Sequence, residues 1–376
     1  MHEKLNDLKN ALSQNRDKSL KMVIGFDGFV DEIIHVVAKR QDFHNFQRLN
    51  TISEFSERIG KAAGLSTNIE FVTTQTKLGG NGPIYANAFI EYGASVTYIG
   101  SIGEPSIHLV FLPLANRGHA ISLCNNGHTD AIEFDDGKVM LGKYECLNEL
   151  TWDRIKERTG GLSGFVDLIK DVDLFGMENW TMIGNMSDIW ENIIDEVFPL
   201  LPEREKKPIA FFDIADPEKR SKEDILNAMN LISKFEEKYK VILGLNEKEA
   251  FEIKEVFDID LSDSLNREEK LKQIVIRIGE KLKIDCLVVH PTKEAMAYAS
   301  GEYFYTKGPF CEKPVLTTGA GDNFNAGFCL GQALNLDYSL SLLLGVCTSG
   351  FYVRRAKSPT MDEIIEFIAE WERGEI

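Results

Sequence analysis

Short apolar runs bounded by turn-forming residues recur along the chain: Met22–Ile24, Val96–Ile99, Trp180–Ile183, Ile209–Phe212, Val241–Leu243 and Cys286–Val289. Several are too uniformly apolar for strands with one wet face, so they predict central strands covered on both sides. Between them lie segments with helical periodicity and suitable ends. Gly82–Tyr92 has Pro83 in its first turn and Gly93 just beyond its end, the usual asymmetry of helix start and stop. Asp188–Leu201, Lys222–Tyr239, Glu247–Val256, Glu268–Leu282, Gly321–Leu334 and Met361–Arg373 read the same way. Such alternation predicts an α/β sandwich around a mostly parallel sheet.

Two regions break the rhythm. Residues 33–77 and 119–146 alternate polar and apolar positions and include the turn Asp135-Asp136-Gly137-Lys138, which predicts hairpins outside the main sheet. Within the first, Thr51-Ile-Ser-Glu54 is a capping-box pattern, so a short helix is expected there. No repeat or Pro- or Ser-rich linker divides the chain, and a single domain over residues 1–376 carrying these two insertions is the simplest organisation. The apolar stretch Leu330–Val353 is broken by Gln332, Asn335 and Asp337, which fits a buried helix pair better than a membrane span.

Charge narrows the function. With 42 basic and 59 acidic side chains among 376 residues, the formal charge is −17, which argues against a nucleic-acid partner held by a broad basic surface. The first twenty residues lack the apolar run of a secretory leader. The six cysteines show no metal-ligand spacing. Free thiols in a cytoplasmic protein are the expectation.

The most informative segment is Thr317-Thr318-Gly319-Ala320-Gly321-Asp322. Its glycines allow a tight strand-to-helix turn with exposed amides, and the helix adds its positive end, so an anion can be held there. Asp322, in the first helical turn, is a candidate proton acceptor from a substrate hydroxyl. The string lacks the third glycine of a dinucleotide fingerprint, and no Walker A loop occurs in the chain. Three other stretches follow predicted strands or open predicted helices. Asp27 and Asp31 can bond polyol hydroxyls; Gly79 and Gly80, followed by Asn81, allow close backbone approach. Asn246 and Glu249 stand three apart in a first helical turn, suited to a hydrated divalent cation. Taken singly, each has a structural reading as a cap or a turn, Asn246 with Glu249 forming a capping box.

Together, and in this order, they resemble the PfkB/ribokinase family of carbohydrate kinases from about Met22 to Ile368. The resemblance implies a ribokinase-like three-layer α/β/α sandwich with the insertions as a β-sheet lid, which often makes a homodimer contact. It implies ATP and Mg²⁺ as cofactors and a sugar or sugar derivative as acceptor. Gly319, Ala320 and Gly321 would stabilise the transferring phosphoryl group, and Asp322 would be the base. Asp31, with Gly79, Gly80 and Asn81, would hold the sugar, and Asn246 and Glu249 would organise Mg²⁺ through water. The nucleotide would lie near Asn246, Thr292, Thr318, Thr348 and Gly350, with His290 as a buried hydrogen-bonded neighbour. Lid residues Lys143 and Arg117 are further candidates for an acidic substrate, with surface solvation the commoner role. The chain departs from the family pattern at Leu316, Ile84, Gly103-Glu104-Pro105 and His290-Pro291-Thr292. These departures leave two other readings, a nucleoside kinase and a non-catalytic sugar- or nucleotide-binding relative; turnover across a panel of acceptors separates them.

Overall fold

The computed structural model describes residues 2–376. Its fourteen strands are β1 Lys21–Phe26, β2 Phe29–Arg40, β3 Phe46–Arg48, β4 Phe71–Gly79, β5 Ser95–Gly100, β6 His119–Ser122, β7 Gly127–Phe134, β8 Gly137–Lys143, β9 Leu174–Met177, β10 Ile209–Asp213, β11 Lys240–Leu245, β12 Cys286–Val289, β13 Glu294–Ala299 and β14 Glu302–Lys307. Nine form one sheet in the order β14-β13-β12-β11-β10-β9-β1-β5-β6. Its strands from β6 to β12 are parallel, and β13 and β14 close one edge antiparallel. All residues of β9, β10 and β12 are buried, as expected for strands sandwiched between helical layers. Two large apolar clusters fill the two sides of this sheet.

A second sheet runs β3-β2-β7-β8, with β4 on the other edge of β2. Its own small core is Ile34, Val36, Ile132 and Phe134 beneath Phe55. Phe55 belongs to the helix Ile52–Gly60, which opens with the Thr51–Glu54 capping box. The extra-sheet segments differ slightly from expectation. The second sheet reaches from Phe29 to Gly79, whereas His119–Ser122 pairs with β5 in the main sheet. Arg117 therefore ends a main-domain helix and pairs with Glu91, away from the second sheet. Lys143 is on β8 and pairs with Asp130.

Most helices begin and end within two residues of the sequence reading, including Asn81–Glu91, Glu247–Val256 and Ala320–Ala333. Two segments differ. Asp188–Leu201 divides into an α-helix to Asn192, a wide turn Ile193–Val197 and a tight turn ending before Leu201. Trp180–Ile183 is not a strand. That strand is β9, six residues earlier, and Trp180 and Ile183 instead fill the core in the turn after it. Burial makes a strand and a core-filling turn look alike in hydropathy.

The parallel strands place a row of polar residues at one edge of the main sheet. Asp27, Glu178, Asp213, Asn246 and His290 follow or end β1, β9, β10, β11 and β12. Open α/β sheets bind ligands at this carboxyl edge.

Candidate active site

The turn Thr317–Gly319 leads into the helix Ala320–Ala333 at that edge. Gly319 adopts φ +89°, and a Cβ there would lie 2.8 Å from the Tyr352 hydroxyl and 3.1 Å from Ile84. Only glycine fits both the backbone and the space. Ala320 donates its amide to Thr317 O and Asn323 to Gly319 O. The Gly321 and Asp322 amides, in the first turn, have no acceptor inside the helix. With the helix dipole behind it, this end of the helix is suited to an anion. The Asp322 carboxyl is buried, and it is pushed well above the usual carboxylate range by burial and by the nearby charges of Asp27 and Glu249; the Asn81 side chain opposes this.

Asp31, on β2, stands on the other side of the cleft. It is 5% exposed. Burial raises its pKa, while Lys77 and the Thr129 hydroxyl pull it down. A Cβ on Gly79 would come within 2.4 Å of all three Asp31 carboxyl atoms, so this glycine makes room for that carboxylate. Gly80, with φ +95°, caps the helix Asn81–Glu91. Asp27, expected to meet substrate hydroxyls, does different work. Its Oδ2 accepts from the Asn81 amide at 3.0 Å and from Asn179 Nδ2 at 2.7 Å, and its Oδ1 accepts from the Gly82 amide at 2.9 Å. Fully buried, with its pKa raised to about 6 by burial, Asp27 anchors the helix that presents Asn81 to Asp322. Ile84, at the family's usual asparagine position, packs on Gly319, and Asn81 supplies the amide instead.

Beside the turn lies a cavity of about 390 Å³, lined by Asn246, His290, Thr292, Ala320, Gly321 and Gly350 among others. Its walls include Phe310, Pro309 and Val353, an apolar slot next to the anion-holding amides. Two candidates fall outside this lining. Thr348 is fully buried outside this lining; its hydroxyl bonds Tyr92 at 2.6 Å and Leu344 O at 2.8 Å, and the adjacent Ser349 lines the cavity instead. Thr318 turns its carbonyl to the Tyr352 hydroxyl at 2.9 Å, and Thr317 is the lining residue. His290 is not merely a buried neighbour. Its ring borders the cavity, 4.8 Å from the Phe324 ring, and burial pushes its pKa down to about 4, so it is neutral at pH 7. Glu104, in the altered Gly-Glu-Pro stretch, pairs with Arg154 at 2.6 Å and lies outside this constellation.

Asn246 and Glu249 form a complete capping box: Glu249 N donates to Asn246 Oδ1 at 3.0 Å, and Asn246 N to Glu249 Oε2 at 2.8 Å. Glu249 Oε1 accepts from the Asp216 amide. Sequence reasoning missed two carboxylates beside them, Asp213 and Glu178. They end neighbouring parallel strands, one position beyond the Phe212–Met177 pair. Glu178 is fully buried with neither oxygen partnered, and the Asn325 Oδ1 atom is likewise unpartnered. Asn325 donates to Asp213 Oδ2 at 3.3 Å. The charges of Asp213 and Asp322 raise Glu178 after burial itself. The available signal was a carboxylate at the end of an all-apolar strand. The donor atoms of these carboxylates are all oxygens, the type that a hard divalent cation takes, and Glu178 leaves both of its oxygens unpartnered.

The family model for prokaryotic ketohexokinase matches residues 3–371. The chain belongs to the prokaryotic ketohexokinase family. It is a carbohydrate kinase that phosphorylates a sugar with ATP. A ketohexokinase from Haloferax volcanii is 28% identical over 349 residues, covering 92% of this chain and 90% of that one. Among solved structures, ribokinase from Thermotoga maritima aligns with a TM-score of 0.62 at 15% identity, over 93% of this chain and 99% of that one. A point mutant of Escherichia coli phosphofructokinase-2 aligns with a TM-score of 0.64 at 13% identity, over 94% and 99%. Arabidopsis thaliana ribokinase, complexed with ribose and ATP, aligns with a TM-score of 0.61 at 14% identity, over 93% and 98%. These structural likenesses establish the ribokinase-like fold. Among the described residues, no helix is long and apolar enough to cross a membrane.

Proposed function

We propose that the protein transfers the γ-phosphoryl group of Mg²⁺-ATP to a hydroxymethyl oxygen of a ketohexose. The observation that carries this reading is the placement of Asp322. It lies buried between Asn81, on the Asp31–Gly79 side of the cleft, and the amides that border the 390 Å³ cavity. Asp31 accepts hydrogen bonds from sugar hydroxyls and fixes the ring, and Asp322 receives the proton of the attacking hydroxyl. As the new oxygen–phosphorus bond forms, the bond to the ADP oxygen breaks, and the amides of the Gly319–Gly321 turn not spent within it, Gly321 among them, meet charge on the equatorial oxygens. Asn246 and Glu249 would hold Mg²⁺, which would supply neutralisation of phosphate charge. The second sheet, carrying Asp31, covers the acceptor and keeps water from competing.

The ketohexose assignment is supported by the family and by the ketohexokinase relative. Steady-state kinetics with Mg²⁺-ATP on fructose, glucose, ribose and adenosine test it. Fructose is expected to give the highest kcat/KM; a higher value for ribose or adenosine would replace the ketohexose reading with a pentose or nucleoside one.

A further inference from the structure

A second cavity, of about 260 Å³, lies at the opposite edge of the main sheet, where β10 and β11 begin at Ile209 and Lys240. Arg204, Lys206, Lys207 and Lys240 line it, and Lys18 stands beside it on the carbonyl of Ala333. In a chain whose 42 basic side chains are outnumbered by 59 acidic ones, such a cluster should find carboxylate partners. Among the described residues it finds none. Arg204 bonds Val172 O at 2.6 Å, Lys240 bonds Gln332 Oε1 at 2.7 Å, and Lys206 and Lys207 bond Asn335 Oδ1 and Glu236 O. All are neutral acceptors. The one carboxylate in the wall, Asp173, is turned to the Lys21 amide at 2.9 Å. The cations also repel one another: beyond its own burial, Lys206 is pushed down by Lys18, Lys240 and Arg204, with Asp173 opposing them.

We propose that this basal cavity binds a small phosphate-bearing anion at a site separate from the active site. Four cationic groups that form no direct ion pair around a cavity of this size match one doubly charged phosphate and a short carrier, and Arg204 adds a planar fork suited to phosphate oxygens. Separation from the catalytic end follows from the helix Ala320–Ala333. Asp322 is in its first turn, Ala333 at its last position borders the basal cavity, and fourteen residues span about 20 Å.

Calorimetric titration of the full-length protein tests this, at fixed ionic strength and with the active site filled by Mg²⁺ and a non-hydrolysable ATP analogue. Orthophosphate, pyrophosphate and glycerol 3-phosphate serve as probes. Saturable binding of at least one is expected, weakened by roughly tenfold or more in the Arg204→Gln/Lys206→Gln double variant. Similar affinity for all three would assign recognition to the phosphate group alone; preference for glycerol 3-phosphate would assign it to a phosphomonoester. Without added anion, the double variant keeps the wild-type kcat and KM. Should it fail to fold, Lys207→Gln carries the same comparison. Absence of saturable binding, or equal binding by wild type and variants, would overturn the proposal.

Discussion

Gly79 shows how narrowly the acceptor side is built. A methyl group there would overlap the Asp31 carboxyl, so Gly79→Ala should displace Asp31. Steady-state kinetics are expected to show KM for the sugar rising by roughly tenfold, with kcat within about threefold of wild type. Glu178 makes the opposite case, a side chain whose burial opposes its ionisation. Its pKa is raised in the folded protein, so the folded state binds its proton more tightly than the unfolded chain does. Its contribution to stability is therefore full below the ordinary carboxylate pKa and is lost as pH rises toward the folded value. Thermal denaturation in EDTA without nucleotide should show Glu178→Gln gaining on wild type as pH increases from 5 to 8; parallel curves would show that the pKa of Glu178 is not raised in the folded protein. Asp322, Asp31 and Gly79 were legible in the sequence because their motifs, taken together and in order, resemble the family's. Glu178 was not, because its meaning comes from Asp213, which reaches it only through pairing of β9 and β10.

At the level of elements, capping chemistry was the most readable feature, and it also masks function. Asn246–Glu249 and Asn266–Glu269 are the same capping box at the heads of two helices. Sequence alone cannot tell them apart; position does, since Asn246 follows β11 at the carboxyl edge and lines the 390 Å³ cavity. Asn246→Ala and Asn266→Ala should each cost about 1 kcal/mol in denaturant unfolding. Only Asn246→Ala should raise KM for Mg²⁺-ATP. Equal kinetic effects, or none at Asn246, would reduce that residue to a cap. The misplaced strand has a related cause. Leu174–Met177 is four residues long and contains Gly176, which has Tyr85 packed close above it. The reading instead took the equally short Trp180–Ile183 run, whose Trp180 and Ile183 fill the core without extending the sheet.

For the molecule as a whole, alternation of strands and helices was enough to read the main sheet, since each buried parallel strand carries its own apolar signature. The second sheet was legible as a departure from that pattern, but its edges were not, because β4 and β8 are largely exposed. The charge of −17 acquires a local meaning. An acidic protein that handles ATP cannot rely on its overall field, and in the proposed reaction the helix amides and a divalent cation would provide the attraction at the reacting phosphate. The central claim is that Asp322 receives the acceptor proton in this setting. Phosphorus NMR of ATP and fructose turnover, with fructose affinity measured separately, compares wild type with Asp322→Asn. Wild type is expected to form a sugar phosphate monoester; the variant should bind fructose comparably while its rate falls by about 10²–10⁴-fold. Retention of most of the wild-type rate by Asp322→Asn would contradict the account.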